Sequence, residues 1–201
     1  IRWEKFELFI DVGEVGPDYQ PGHAHADTFS FELYINGRPV IVDTGTSTYV
    51  VNNTRFYERS TAAHNTVVVC GQNSSQVWAG HRVARRARVQ VFCDEEERIV
   101  AVHDGYKRLG CLHTRKVEKV GKYIRITDEV DREGTAYLHF MPKENVVLDG
   151  NRLLGSDYCI EFDGAREIEP FTSMYSPEFN KREERRSFRI SFDRRLETII
   201  Q

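Results

Sequence analysis

Apolar and polar side chains alternate with a period of two along most of the chain. Phe29, Phe31, Leu33 and Ile35 share one face of an extended segment, and Thr28, Ser30, Glu32 and Tyr34 share the other. Asn36-Gly37 follows, the dipeptide favoured where a two-residue hairpin turn needs positive φ at both positions. Residues 38–43 read as the partner strand, with Val40 and Val42 opposed to Ile41 and Pro39 marking an edge. The same pattern predicts strands over 1–7, 66–70, 86–92, 99–102, 112–120, 123–130, 135–141, 146–148, 152–154, 158–162 and 187–192. In the strand over 86–92, Ala87, Val89 and Val91 are placed inward. Turns are expected at Gly71, Asp94 to Glu97, Gly121-Lys122 and Asp149-Gly150-Asn151. One helical turn is expected within 52–61, and the charge run 181–186 reads as a solvated loop. Many short strands joined by Gly, Asn and Asp turns predict an all-β fold: an antiparallel β-sandwich, with residues 1–201 forming one domain.

Composition narrows the class. The 201 residues are 40% hydrophobic and 29% charged, which excludes a disordered chain. No apolar run approaches the ~20 residues of a membrane-crossing helix. A net charge of −3 disfavours a nucleic-acid partner. No secretory signal is visible at the start, and the compartment stays unassigned on these grounds. Cys70, Cys93, Cys111 and Cys159 form no C-x-x-C pair and are expected as buried free thiols.

The segment Gly22-His23-Ala24-His25-Ala26-Asp27 carries the chemistry. On a straight extended backbone His23, His25 and Asp27 point the same way. The hairpin returns Asp43 towards His25, and His64 opens the strand at 66–70. His25, Asp43 and His64 thus compose two imidazoles and a carboxylate with one open position, a donor set suited to zinc. His81, His103, His113 and His139 lack comparable neighbours and read as ordinary structural residues. Arg55, Arg59, Arg82, Arg85, Arg86 and Arg88 follow the hairpin. Most read as solvated; Arg59 and Arg82 are taken as the candidates for binding an anionic substrate, because a guanidinium matches an oxyanion bidentately. Tyr49 and Tyr57 lie near the same mouth, where a phenol transfers a proton or stacks on a sugar.

Three ordered motifs, His23-Ala24-His25-Ala26-Asp27-Thr28-Phe29, Val42-Asp43-Thr44-Gly45-Thr46 and Arg59-Ser60-Thr61-Ala62-Ala63-His64-Asn65-Thr66, resemble the C-terminal domain of the heparinase II/III-like family. The resemblance runs from about residue 11 to 89 and continues as strand pattern. It implies a β-sandwich from a polysaccharide lyase that cleaves uronate-containing polymers by β-elimination. It also implies a partnering N-terminal α/α toroid, without which this chain is expected to be inactive. It implies a catalytic role for His23 and a cleft tyrosine at Tyr57, with His25, Asp43 and His64 holding a structural zinc. A bacterial, periplasmic or extracellular setting follows from the same resemblance. Two rival readings are a non-catalytic carbohydrate-binding sandwich and a cupin-type metal enzyme. The cupin reading is disfavoured because Glu32 lies too far from His25 for that motif.

Overall fold

The structure is a computed structural model and describes residues 1–201. A four-stranded antiparallel sheet is built from β1 (Arg2–Trp3), β2 (Phe6–Ile10), β3 (Phe31–Ile35) and β4 (Arg38–Ile41). Asn36 and Gly37 take φ of 52° and 73°, the two positive values that the β3–β4 hairpin requires. After the single helix α1 (Asn53–Glu58) come β5 (Val67–Val69), the short hairpin β6 (Val77–Trp78) and β7 (Arg82–Val83), then β8 (Val89–Glu95) and β9 (Arg98–His103). The chain finishes with β10 (His113–Val120), β11 (Tyr123–His139), β12 (Val147–Asp149), β13 (Arg152–Leu154), β14 (Cys159–Tyr175) and β15 (Glu183–Ile200). These form a nine-stranded sheet in the order β12-β13-β14-β15-β11-β10-β9-β8, with β5 also on β11.

One strand organises the molecule. β11 runs 17 residues; its first half pairs with β10, its second half pairs with β5, and β15 lies along its other side throughout. At its end the Val42 amide donates to the His139 carbonyl at 3.0 Å, and Met141 donates to Val40 at 2.9 Å, which ties the small sheet to the large one. A continuous core of 28 buried residues spans both sheets, with Phe6, Leu8, Leu33 and Ile35 from one and Val117, Ile126, Phe188 and Ile190 from the other.

Several expectations change. The segment at 123–130 and that at 135–141 are one strand, bent by a register shift between Glu129 and Glu133. The charge run does not stay a loop, because β15 begins at Glu183 and buries Arg185 on its inner face. Residues 86–88 precede β8, and at the register shift between Val91 and Cys93 the side chains of Val91 and Phe92 both face out, at 42% and 62% exposure. Val40, Ile41 and Val42 are all buried, since this strand is covered on both faces. The segment expected as a strand over 1–7 folds back at Glu4, which has φ of 49°, into the β1–β2 hairpin. All four cysteines are free, and only Cys111 is buried.

Candidate metal centre and catalytic mouth

The histidine-rich segment lies in a loop between β2 and β3. The loop is closed at its base where Asp11 donates to Ser30 at 2.9 Å and Phe29 donates to Asp11 at 3.0 Å. It is not extended, so the alternation expected of a straight strand fails. His25 and Asp27 turn inward, while His23 turns out to solvent. Arg59, at the end of α1, fixes the loop. Its guanidinium donates to the Ala24 carbonyl at 2.9 and 3.2 Å and to the Trp78 and Ala79 carbonyls at 3.2 and 3.3 Å, and its own carbonyl accepts from Ala26 at 3.0 Å. A buried arginine saturated by backbone oxygens is a clamp, and of the two arginines expected to meet substrate only Arg82 is exposed.

Asn65 sets the other wall. Its side-chain amide donates to the Phe31 and Val42 carbonyls at 2.9 and 3.1 Å, and its side-chain oxygen accepts from His139 at 2.8 Å. Neighbouring His64 is thereby buried against the loop. His25, Asp27 and His64 bring one donor atom each within 4.8 Å of one another. The two imidazole centroids stand 5.3 Å apart. Asp43 sits across His64, with its carboxylate 2.6 Å from Nδ1. The other carboxylate oxygen accepts from the Gly45 amide at 2.9 Å. His25, Asp43 and His64 are therefore neighbours, and Asp27 brings a second carboxylate to the same cluster.

The donor chemistry fits a cation. Burial, aided by His64 and Arg55, lowers His25 to about 3, so it is a neutral imidazole. Burial works against charge on both Asp43 and His64, but their mutual attraction prevails; Asp43 is held well below the usual carboxylate range and His64 is raised. With Nδ1 engaged by Asp43, Nε2 of His64 is left buried with no hydrogen-bond partner. A carboxylate on one imidazole nitrogen, with the other aimed at a site, is the usual support for a metal-binding histidine. Arg55 counts in the balance, since its Nη1 donates to His25 Nε2 at 3.2 Å; a metal bound through that nitrogen would replace the Arg55 contact.

Outside this buried cluster lies an exposed ring of aromatic groups. His23 meets Tyr49 and His81 edge-on, at centroid distances of 5.5 and 5.4 Å. Tyr49 stacks on His81 at 5.4 Å and on Phe179 at 5.6 Å. The Arg55 guanidinium lies 4.9 Å over the Tyr49 ring. Tyr57 is not at this mouth. Its hydroxyl turns towards the Ala62 carbonyl at 3.5 Å, and burial pushes it up to about 12. Of the two tyrosines expected near the mouth, Tyr49 is the one beside His23. His81 carried no sequence signal, because it is 58 residues from His23 and only the β6–β7 turn brings it near. Asp27 was visible as the end of a His-x-His-x-Asp spacing.

Comparison with known proteins agrees with this architecture. Residues 1–201 match the family described as Heparinase II/III-like, C-terminal. A heparin-sulfate lyase of Bacteroides stercoris is 30% identical over 133 residues, covering 62% of this chain and 19% of that protein. The crystal structure of a heparinase III superposes with a TM-score of 0.80 at 22% identity, over 97% of this chain and 33% of that one. A heparan sulfate lyase mutant from Pedobacter heparinus gives 0.75 at 20% identity, over 96% and 32%. The chain thus spans about a fifth of the curated relative it matches and a third of these solved chains. By motif order, layered β fold and full-length family match, this chain belongs to the heparinase II/III-like family as its C-terminal domain.

Proposed function

We propose that this chain forms one wall of the active site of a polysaccharide lyase acting on a uronate-containing polymer. The observation that carries the reading is the juxtaposition of exposed His23, Tyr49 and His81 beside a cluster of half-buried His25, Asp27 and Asp43 around buried His64. The elimination removes the C5 proton, forms the C4–C5 double bond and expels the C4 oxygen, which leaves protonated. The C5 proton is weakly acidic, so negative charge building on the adjacent carboxylate must be stabilised by donors in place beforehand. His23 serves as a donor to that carboxylate or as a proton carrier. Tyr49 supplies a phenol beside it for transfer between C5 and the departing oxygen. Groups outside this chain complete the opposite wall, as the longer relatives suggest.

Zinc, held by His25, Asp27 and His64 with Asp43 steadying His64, would cross-link the loop to the entrance of β5. The role is structural, because the elimination needs no metal-bound water. Metal analysis of protein purified without chelators is expected to find about one zinc per chain. Chelation is expected to lower the thermal midpoint, and His64→Ala to abolish that response; absence of zinc together with an unaltered midpoint in His64→Ala rules the centre out.

The catalytic reading is tested in the full-length protein by ultraviolet absorbance of the unsaturated product. His23→Ala and Tyr49→Phe are each expected to slow product formation by about 10²-fold or more, the usual scale of a lost proton-transfer group. Tyr57→Phe is expected to stay within a few-fold of wild type. Full activity in His23→Ala refutes the role of His23. The stacked, exposed Tyr49 and Phe179 also suit a module that only binds sugar. That second reading predicts polymer binding with no product from the full-length protein.

A further inference from the structure

A second polar feature lies along the β6–β7 hairpin, away from the cluster just described. At its turn, His81 belongs to the catalytic mouth. At its base the pairing continues beyond the strands, with Gln76 donating to the Arg85 carbonyl at 2.8 Å and Ala84 donating to Gln76 at 2.9 Å. Here a cavity of about 360 Å³ is lined by Arg85, Arg86, Lys107, Arg108, Asp104 and Ser74. An adjoining cavity of about 420 Å³ shares Arg108 and adds Gln72, Gln76 and Trp78. Trp78 is 49% exposed. From His81 to Arg85 the hairpin spans roughly 13 Å at about 3.3 Å per residue, so mouth and cavity lie along one continuous edge.

The charge in the first cavity is largely unanswered. Arg85 and Lys107 make no ion pair, and Arg108 is held only by carbonyls, donating to Gly105 at 2.9 Å and to Asn73 at 2.8 Å. Arg86 is anchored by the Val15, Gly16 and Pro17 carbonyls, each at 3.3 Å, and pairs with Asp18 at its outer edge. The backbone beneath two of the cations is fixed in place. The turn that carries Lys107 and Arg108 is pinned by buried Tyr106, whose hydroxyl donates to the Val67 carbonyl at 2.6 Å. It packs tightly through Gly105, where a Cβ would fall 2.4 Å from the Ser74 carbonyl. In a chain of net charge −3, four cations against one carboxylate, Asp104, around a cavity beside an exposed indole and two amides form a site for an oxyanion on a sugar.

We propose that this cavity is an accessory subsite that takes a sulfate or carboxylate group of the polysaccharide, remote from the bond being cleaved, with Trp78 packing against a neighbouring sugar ring. The proposal rests on the polysaccharide reading above. Its test is the double variant Arg85→Ala/Lys107→Ala in the full-length protein. Arg166→Ala/Arg189→Ala serves as a control that removes equal charge from another face. The probes are heparin and sulfate-free polygalacturonate, with affinity measured by titration and by the salt needed for elution from immobilised heparin. Affinity for heparin is expected to fall about tenfold or more in the first variant and to change less than twofold in the control. A fall for heparin alone identifies sulfate as the recognised group, and an equal fall for both polymers identifies carboxylate. The subsite is overturned by unchanged affinity, by an equal fall in the control, or by a loss of thermal stability with binding intact. Wild-type protein that neither binds nor cleaves any such polymer overturns the polysaccharide reading as well; wild-type cleavage with an unaffected double variant overturns the subsite alone.

Discussion

Buried charge is the feature of individual residues that most shapes this protein. Arg55, Arg59, Arg115 and Arg185 are all nearly inaccessible, and each ends on backbone oxygens, a carboxylate or a hydroxyl near the site. Arg115 is the clearest case. Its guanidinium grips both oxygens of buried Asp128 at 2.7 and 2.8 Å and also donates to the Phe29 and Asn65 carbonyls, on the segments that flank the His/Asp cluster. Removing one member of a buried pair strands the other charge, so Arg115→Ala is expected to cost about 3–5 kcal/mol in a denaturant titration. Gly45 is constrained differently. It has φ of +74°, and a Cβ there would stand 2.2 Å from the Ser176 carbonyl while its amide holds Asp43. Gly45→Ala is expected to destabilise by at least about 1–2 kcal/mol from the left-handed backbone alone. None of this was legible in the sequence, because a charge pattern does not distinguish an arginine facing water from one facing carbonyls.

At the level of elements, legibility followed how local the signal was. Asn36-Gly37 specified its hairpin because two positive φ values are a local demand, and the Asp149-Gly150-Asn151 turn behaved the same way. The length of β11 was hidden, because the register shift after Glu129 interrupts the alternation that marks a strand. The candidate site was partly legible: His25, Asp43 and His64 were expected together, but the loop's curvature, which turns His23 to solvent and brings Asp27 inward, depends on the Arg59 clamp from α1. The fold of these elements predicts that Leu33→Ala, at the centre of β3 and fully buried, costs about 2–5 kcal/mol by leaving a cavity between the sheets.

For the molecule as a whole, acid is expected to be the weak point. His103 and His113 form a buried relay, His103 Nε2 lying 2.9 Å from His113 Nδ1, and His113 Nε2 lying 2.7 Å from Asp128. Burial comes first among the causes that lower both, with Arg115 also opposing charge and Asp128 only partly compensating. These histidines stay neutral when folded and take up protons near pH 6.5 when unfolded. Their contribution is therefore present above that pH and is lost as pH falls below it. Each steepens the fall by up to about 1.4 kcal/mol per pH unit. Urea midpoints measured at pH 7.5 and 5.5 are expected to differ strongly, and His103→Gln/His113→Gln to reduce the difference.

The placement of β15 carries a consequence for biosynthesis. It follows the other fourteen strands in the chain, yet it lies between β11 and β14 and supplies hydrogen bonds to both. Until residues 183–200 have left the ribosome, the two longest preceding strands present open edges, which are templates for self-association. Chains stalled or truncated before that point are expected to need chaperone shielding and to precipitate without it. The sandwich is therefore expected to close when β15 docks, rather than progressively from its amino end.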